Sequence, residues 1–575
     1  MRPSDIFSSM RLLKPFVRLV AVVAATAFVL RLPCVAEAQT LSLPATGVWN
    51  GFNSQLNILE CSNGGTVGYG FVVTVKSSQG QVLGTQTVNL LPQGTAHLVL
   101  NGFGLENSYG TYALTHLSGD VQGDSPLNCA TIIYRFPTGA ATKAIDYAYA
   151  LPVRNSLRGG ASGIYNSMNP SGWQPIENWL TVYNPGLQPF SASVAIYDRD
   201  GTEIPGAGFF LDSLQPGERR DFAVGHPGGQ QLGLYRISPA DSSAPYGAFV
   251  TRYSRDGERF NFAFPVLALP GESDPGVVAA STMDPAINWG EIANAGDSPV
   301  SVEISIRDGF GASKHRETVV IPARAQYHVS VNTHLGERSV GTISARVVSG
   351  GGKILLQSAY YGYRSAALPG IEWAYVSQAE GLRAFEGDRI SFLVNTFFDA
   401  ANWGKFLDLS GAPSTVNQAL FDGGGNSKSR VSKPIFANGN IDTGLHEQAG
   451  TGFTGQALAY ASIESAEIGA ELLRVFPDFR GGIGSVLRVP PRIIPATAAQ
   501  RGAVRVANEG HYFQFRSQKI AIVGDSISQA WMELGPDFKS SLYIDNIALN
   551  GVNALMIWAY IGIEDQRQDL SLIHI

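Results

Sequence analysis

The chain has 575 residues, of which 44% are hydrophobic and 15% charged, and it contains 65 glycines and 31 prolines. This length exceeds what one hydrophobic core supports and predicts about four or five domains. The apolar content excludes disorder over most of the chain. A net charge of −6 without a run of Lys or Arg excludes the basic surface that nucleic acid binding requires.

The first 38 residues have the pattern of a secretory signal peptide. Four basic residues precede an apolar run at residues 19–30, and a small-x-small cleavage site ends at Ala38. The run is about a dozen residues, shorter than the roughly 20 that a membrane-spanning helix needs. The sequence therefore predicts a secreted or cell-surface protein, cleaved near Ala38, with no membrane span after cleavage.

A pattern with a period of about 110 to 120 residues follows. It opens with an Asn-Trp pair, then apolar residues and a second polar residue, at 178–184, 288–294 and 402–408, with a diverged copy at 57–63. Each opening is followed by a glycine that we assign to a turn, at Gly80, Gly201, Gly309 and Gly423.

Alternating apolar residues lie between each opening and its turn, for example Val302, Ile304 and Ile306. This period of two is typical of a half-buried strand. Because no helical pattern intervenes, we expect a mainly β protein with one immunoglobulin-like β-sandwich per repeat. The predicted domains are the signal peptide at 1–38 and four sandwiches at 39–160, 161–272, 273–380 and 381–489.

Trp179, Trp289 and Trp403 occupy one position of the repeat. An exposed Trp could stack on a sugar ring, whereas a buried Trp would fill the core. A residue that recurs once per repeat is more often in the core, so we expect buried rings in the sandwich cores. The neighbouring Asn is expected to cap a turn or a strand end.

The cysteines that follow the predicted cleavage site are Cys61 and Cys129. An even pair in an oxidising compartment usually forms a disulfide, the alternative being two buried thiols. We expect a disulfide between an early and a late strand of the first repeat, joining its two sheets.

No metal or cofactor site is predicted. The nine histidines are scattered without ligand spacing. The sequence Asp-Arg-Asp-Gly at 198–201 lacks the third oxygen ligand and the distal Glu of a calcium loop, so it predicts a β-turn.

The pattern changes after the fourth repeat. A proline-rich linker and hairpin lead is predicted at 490–510, followed by an α/β segment at 511–569. A short apolar strand ends at Asp525 and Ser526, a helix begins at Pro536, and a second strand contains Trp558. This order predicts a parallel βαβ unit.

Two stretches carry a family resemblance, GHYFQFRSQKIAIVGDS and DFKSSLYIDNIALNGVNALMIWAY. They resemble the entry into a (β/α)8-barrel glycoside hydrolase domain of the apiosidase-like and cellulase-like clans. The resemblance implies a TIM-barrel-like segment, truncated after two strands, with Asp525 and Trp558 on the substrate face. The family's paired carboxylates come from later strands, so it implies no catalytic residue in this fragment. The repeats before it resemble tandem immunoglobulin-like repeats of bacterial surface proteins.

The stretch IVGDSISQAW also resembles the first block of the SGNH, or GDSL, hydrolases. That resemblance implies Ser526 as the nucleophile of an esterase. Gly551 and Asn553 stand in the reverse order of the family's oxyanion block, and its Asp-His pair is missing. A non-catalytic α/β remnant is a third possibility, and the Tyr-Phe lead and the amphipathic helix favour the barrel.

The last six residues, 570–575, read LSLIHI. This stretch resembles the translation of a sequencing-library adapter, so we expect natural sequence to stop near Asp569. The alternative is a genuine apolar strand.

These observations predict a secreted carbohydrate-active protein, inactive as this fragment, in which the repeats space or bind and the hydrolase domain is incomplete. The expected partner is a polysaccharide or other glycan, with no cofactor. The alternatives are a surface adhesin whose repeats are the function, and the SGNH-type esterase.

Overall fold

The computed structural model describes residues 44–496 apart from short gaps, and six short strands between residues 505 and 573. The gaps are at 105, 118–124, 138–143, 170–175, 226–229, 257–258, 284–285, 366–367, 386 and 462–466. The predicted signal peptide lies outside the described residues.

The first repeat contains eight strands and two short 3-10 helices, Phe52–Ser54 and Leu100–Phe103. Its strands are β1 (Ala45–Asn50), β2 (Leu56–Asn63), β3 (Tyr69–Ser77), β4 (Val82–Leu90), β5 (Thr95–Val99), β6 (Tyr109–His116), β7 (Leu127–Arg135) and β8 (Tyr147–Pro152).

The second repeat also contains eight strands. They are β9 (Ala161–Asn166), β10 (Ile176–Tyr183), β11 (Phe190–Asp198), β12 (Phe209–Leu214), β13 (Arg219–Ala223), β14 (Leu232–Pro239), β15 (Gly247–Asp256) and β16 (Arg259–Leu267).

The third repeat adds a helical turn, α1 (Val331–Leu335), after its fifth strand. Its strands are β17 (Val277–Ser281), β18 (Ala286–Asn294), β19 (Val300–Asp308), β20 (Ser313–Ile321), β21 (Gln326–Ser330), β22 (Val340–Ser349), β23 (Ile354–Ser365) and β24 (Leu368–Gln378).

The fourth repeat has a matching helical turn, α2 (Leu445–Ala449), and a 3-10 helix at Phe397–Asp399. Its strands are β25 (Arg389–Asn395), β26 (Ala401–Asp408), β27 (Ser414–Asp422), β28 (Ser427–Ile435), β29 (Asn440–Gly444), β30 (Thr454–Ala461), β31 (Ile468–Pro477) and β32 (Ile483–Val489), and β33 (Arg492–Ile494) joins its first strand.

All four repeats have the same strand order. In the first, one sheet runs β1-β6-β3-β4 and the other β5-β2-β7-β8, and the same ordinal order recurs in the other three. All these pairings are antiparallel, as the alternating sequence pattern requires. The immunoglobulin order keeps its first two strands in one sheet, whereas here they lie in opposite sheets. The β-sandwich prediction is therefore confirmed in its general form, and the immunoglobulin-like topology is wrong.

Side chains from both sheets meet in the core of each sandwich. In the first repeat, Trp49, Phe71 and Tyr112 of one sheet pack with Leu59 and Leu127 of the other. Equivalent clusters fill the second and third repeats, and Phe392 packs edge-on against Phe406 in the fourth. Burial of this apolar surface is the main force that holds each pair of sheets together.

The four sandwiches close head to tail into a ring. The turn after the third strand of one repeat accepts a backbone hydrogen bond from the fifth strand of the next repeat, and we call each such junction a seam. The four bonds run from Arg219 to Ser78 (2.8 Å), Gln326 to Arg199 (2.9 Å), Asn440 to Gly309 (3.0 Å) and Thr95 to Gly423 (3.0 Å). The last of them joins the first repeat to the fourth, which closes the ring.

The eighth strands of the repeats meet at the centre of the ring. Strands β8, β16, β24 and β32 each contact the next in a closed cycle. Tyr149, Phe264, Tyr375 and Leu487, one from each of these strands, border a cavity of about 20 Å³. Such a space holds about one water molecule, so the centre is packed at this level.

The prediction that Trp179, Trp289 and Trp403 fill the sandwich cores is wrong. Trp179 has 37% of its surface exposed, and the other two are partly buried against clusters that join neighbouring repeats. In a strand, adjacent residues point to opposite faces. Because Leu180 and Val182 are in the core of the second repeat, Trp179 must lie on the outer face.

The Asn beside each Trp lies on the core side instead. Asn402, next to Trp403, donates to the carbonyl of Asn395 at 2.7 Å. Asn57, the equivalent residue of the diverged copy, which has Ile58 in place of the Trp, donates to the carbonyl of Asn50 at 2.7 Å. These bonds satisfy backbone groups where the first strand of the repeat ends, in line with the predicted capping role.

The four predicted turn glycines all lie between the third and fourth strands of their repeats. Gly80 and Gly201 have a positive φ, whereas in the other two turns the positive φ falls two residues after the predicted glycine, at Gly311 and Gly425. Asp198 accepts the backbone N–H groups of Asp200 and Thr202, at 3.0 and 2.8 Å, and its turn is thus closed by its own carboxylate.

The barrel interpretation of the C-terminal segment is wrong. The residues that the structure describes lie mainly in β-sheets and contain no helical segment of a barrel. The strands described there are β34 (Arg505–Val506), β35 (Phe513–Phe515), β36 (Gln518–Ile520), β37 (Gly524–Ser526), β38 (Ala554–Ala559) and β39 (Asp569–Ile573). The predicted helix after Pro536 lies outside the described residues.

Candidate functional site: an arginine-lined groove

A groove of about 380 Å³ lies where the third repeat meets the fourth. Its floor is the outer face of the sheet that contains β19, β20 and β22. Val302, Ile304 and Ile306 point into the sandwich core, so the alternation of β19 places Glu303, Ser305 and Arg307 along the groove.

Glu303 sits between two arginines of neighbouring strands. One carboxylate oxygen accepts from Nε of Arg316 at 3.0 Å, and the other accepts from Nε of Arg346 at 2.9 Å. These hydrogen bonds, with that of Arg316 first, lower the pKa of Glu303. Both arginine side chains are more than half exposed, so their remaining N–H groups are accessible from the groove.

The walls come from connecting segments. Arg383, in the connection between the third and fourth repeats, lies 3.5 Å from Asp274 and 3.4 Å from Glu467. Asn438 of the fourth repeat borders the groove opposite the sheet and has a positive φ of 57°. The groove thus draws on both repeats and exists only because the seam forms.

Cationic groups outnumber anionic groups among the charged side chains that line the groove. Four arginines, Arg307, Arg316, Arg346 and Arg383, face two carboxylates, Asp274 and Glu303. Guanidinium groups bind carboxylate, sulfate and phosphate through paired hydrogen bonds, and the volume lies in the range of roughly 300–1,000 Å³ typical of ligand sites. The arrangement is suited to binding an anion and contains no nucleophile paired with a base.

The site residues predicted at the C-terminus are not part of this groove. Asp525 and Ser526 lie in β37, which pairs in parallel with β38, where Trp558 is located. The backbone therefore brings these two segments together, but their side chains lie outside what the structure describes. Strand β39 pairs antiparallel with β38 and includes residues that we assigned to an adapter, an assignment that stays a prediction.

Cys61 and Cys129 form a disulfide, with their Cα atoms 4.2 Å apart. The two residues are directly opposite each other on β2 and β7. They therefore join neighbouring strands of one sheet, and the expectation of a bond between the two sheets is wrong.

The structure shows neither a metal cluster nor a membrane-spanning helix in the part of the chain that it describes. No group of three or more His, Cys, Asp or Glu side chains there is placed to bind a metal ion. No helix there is long and apolar enough to cross a membrane.

Comparison with models of known protein families and with curated proteins finds no match for this chain. The groove therefore has to be interpreted from its own chemistry. Sequence reasoning missed it because Arg316, Arg346 and Arg383 come from separate segments. The polar residues that alternate with Val302, Ile304 and Ile306 were the available signal.

Proposed function

We propose that the ring is a non-catalytic binding module for an acidic glycan, whose carboxylate or sulfate groups are held by the groove arginines. The observation that carries the proposal is the excess of arginines over carboxylates in one groove. The carboxylate of Glu303 already neutralises part of the positive charge of Arg316 and Arg346. Arg307 contacts no carboxylate in the lining and donates to the carbonyl of Gly311 at 3.2 Å.

The polar floor supports a sugar as the ligand. Ser305 and Ser344 lie between the arginines on the sheet and border the groove. Hydroxyl groups donate and accept hydrogen bonds, which matches the hydroxyls of a sugar ring, while the arginines match its acidic substituents.

The closed ring favours binding over spacing. A linear array of repeats would hold its two ends apart, but here the first and fourth repeats are hydrogen bonded to each other. Export to the cell surface or medium, predicted from residues 1–38, would bring the module to extracellular polysaccharides.

Calorimetric titration with polygalacturonate and with neutral dextran tests the proposal. We expect binding to polygalacturonate that weakens as salt is raised, and none to dextran. The double variant Arg316→Gln/Arg346→Gln should bind about tenfold more weakly or worse, because it removes charge-assisted hydrogen bonds.

A charge-matched control separates the groove from overall charge. Arg430 and Arg480 are exposed side chains of the fourth repeat that do not border the groove. The double variant Arg430→Gln/Arg480→Gln should bind like the wild type. Equal losses in both double variants, or equal binding of dextran, would overturn the proposal.

A further inference from the structure

Two of the four seams contain the same buried ionic cluster. At the seam between the second and third repeats, Arg252 pairs with Glu291 at 3.0 Å. Asn166 donates to the same carboxylate at 2.9 Å, and Arg252 also contacts Tyr361 Oη at 3.4 Å and the carbonyl of Ile164 at 3.4 Å.

The seam between the fourth and first repeats repeats this arrangement. Arg474 pairs with Glu60, with Nη1 to Oε1 at 3.0 Å. Asn395 donates to Glu60 at 2.8 Å, and Arg474 contacts Tyr134 Oη at 3.3 Å and the carbonyl of Leu393 at 2.9 Å. Each of these four partners has its counterpart in the other cluster. Glu291 also accepts from Gln357, whose position opposite Glu60 holds Ala130.

The strand registers show that the two clusters occupy equivalent positions. Arg252 is opposite Asn178, and Arg474 is opposite Asn402, the Asn that opens each repeat. Glu60 and Glu291 face His97 and His328 on the adjacent strand. The agreement extends to backbone carbonyls, so it reflects the same local packing.

The other two seams lack this cluster. The Arg position holds Ile133 in the first repeat and Tyr360 in the third, while the Glu position holds Thr181 in the second and Lys405 in the fourth. Lys405 is instead paired with Asp442 of its own repeat at 2.7 Å. The Glu of the cluster thus occurs in the second strand of the first and third repeats, and the Arg occurs in the seventh strand of the second and fourth repeats.

We infer that the ring consists of two interchangeable halves, the first two repeats and the last two, and that a second copy of this chain can exchange halves with it. In the exchanged form, Arg252 of one chain pairs with Glu60 of the other, and Arg474 pairs with Glu291. One ring then contains the first half of each chain, and a second ring contains the second half of each chain. The connections at residues 268–276 link the two rings. The exchanged seams would be held by the same kind of Arg–Glu pair as the seams of the closed chain, between different pairs of repeats.

Charge complementarity restricts which exchanges form. If the second repeat packed with its Arg against the Glu position of the fourth repeat, Arg252 would be buried beside Lys405. If the fourth repeat packed with its Arg against the Glu position of the second repeat, Arg474 would face Thr181. Buried charges without a partner are costly, so only the exchange between halves keeps every carboxylate paired.

A pair of charge-reversal variants of the full chain tests this inference. In Glu60→Arg/Arg252→Glu, closure within one chain places like charges at both ionic seams, whereas exchange between two chains restores opposite charges at all of them. We expect this variant to have the mass of two chains in light scattering. The matched control, Glu60→Arg/Arg474→Glu, restores the pair within one chain and should have the mass of one.

The opposite result, a single-chain mass for the first variant with native-like thermal unfolding, would overturn the inference. If either variant fails to fold, refolding of the wild type at rising protein concentration decides. A two-chain species whose fraction rises with concentration supports the exchange. A single-chain mass at every concentration contradicts it.

Discussion

Arg474 and Glu60 form an ion pair with no exposed side-chain surface, although 414 positions separate them in the sequence. Removing two charges from water costs several kcal/mol per ion. The cost is offset here because Asn395 and Tyr134 supply further hydrogen bonds to the pair. We therefore expect the pair to specify which repeats meet more than it stabilises the fold.

The first prediction separates specificity from stability. Arg474→Met alone leaves Glu60 buried without its cation and should lower the free energy of unfolding by about 3–5 kcal/mol. Arg474→Met with Glu60→Leu removes both charges and should lose much less. Urea unfolding of the wild type, the two single variants and the double variant provides the measurement. A double variant as unstable as the singles would contradict this account.

The second prediction concerns acid stability. Burial opposes ionisation of Glu291, but the charge of Arg252, with hydrogen bonds from Arg252 and Asn166, outweighs it and lowers the pKa from 4.5 to about 2. A carboxylate with a lowered pKa contributes stability that is complete above pH 4.5 and is lost as the pH falls towards 2. The urea midpoint should therefore fall over this range.

The variant Glu291→Gln isolates this contribution, because all other carboxylates remain. Between pH 4.5 and 2 its midpoint should fall less steeply than that of the wild type. Parallel curves for the two proteins would show that Glu291 does not titrate with a lowered pKa.

The third prediction compares two tryptophans. Trp49 is fully buried and donates its indole N–H to the carbonyl of Lys76 at 2.9 Å, so Trp49→Ala should cost about 3–5 kcal/mol. Trp179 has 37% of its surface exposed on the outer face, and Trp179→Ala should cost about 2 kcal/mol or less. Equal losses in thermal unfolding would restore the core interpretation of Trp179.

The Trp positions also show what the sequence could and could not predict. The repeat and its strands could be predicted because apolar and polar residues alternate along each strand, which is a local property of the sequence. Trp179 is out of phase with Leu180 and Val182, so its outer position was available from the same pattern. Ring closure could not be predicted from the sequence, because the partners of Glu60 and Thr95 lie in the fourth repeat and no local pattern encodes such a contact.

The groove follows the same division. Glu303 and Arg307 could be placed on the outer face of β19 from their alternation with Ile304 and Ile306. Their association with Arg383 depends on the seam between the third and fourth repeats, which is a tertiary contact. The face of the strand on which a side chain lies can be predicted from the sequence more readily than the residues that the side chain contacts.

The last prediction tests ring closure through a glycine. Gly425 has a positive φ of 82°, and a Cβ atom there would collide with the carbonyl oxygen of Pro92 in the first repeat. Gly481, in another turn of the fourth repeat, has a φ of 84° but no atom within 4 Å of such a Cβ. Both Gly→Ala variants should lose about 1–2 kcal/mol from left-handed strain.

Only Gly425→Ala should also open the seam between the fourth and first repeats. The Thr95 amide donates to the carbonyl of Gly423 across this seam at 3.0 Å, so its hydrogen exchange reports on closure. Gly425→Ala should speed exchange at Thr95 well beyond the change in Gly481→Ala, which keeps the seam intact. Equal exchange rates at Thr95 in the two variants would mean that the contact between Gly425 and Pro92 does not hold the ring closed.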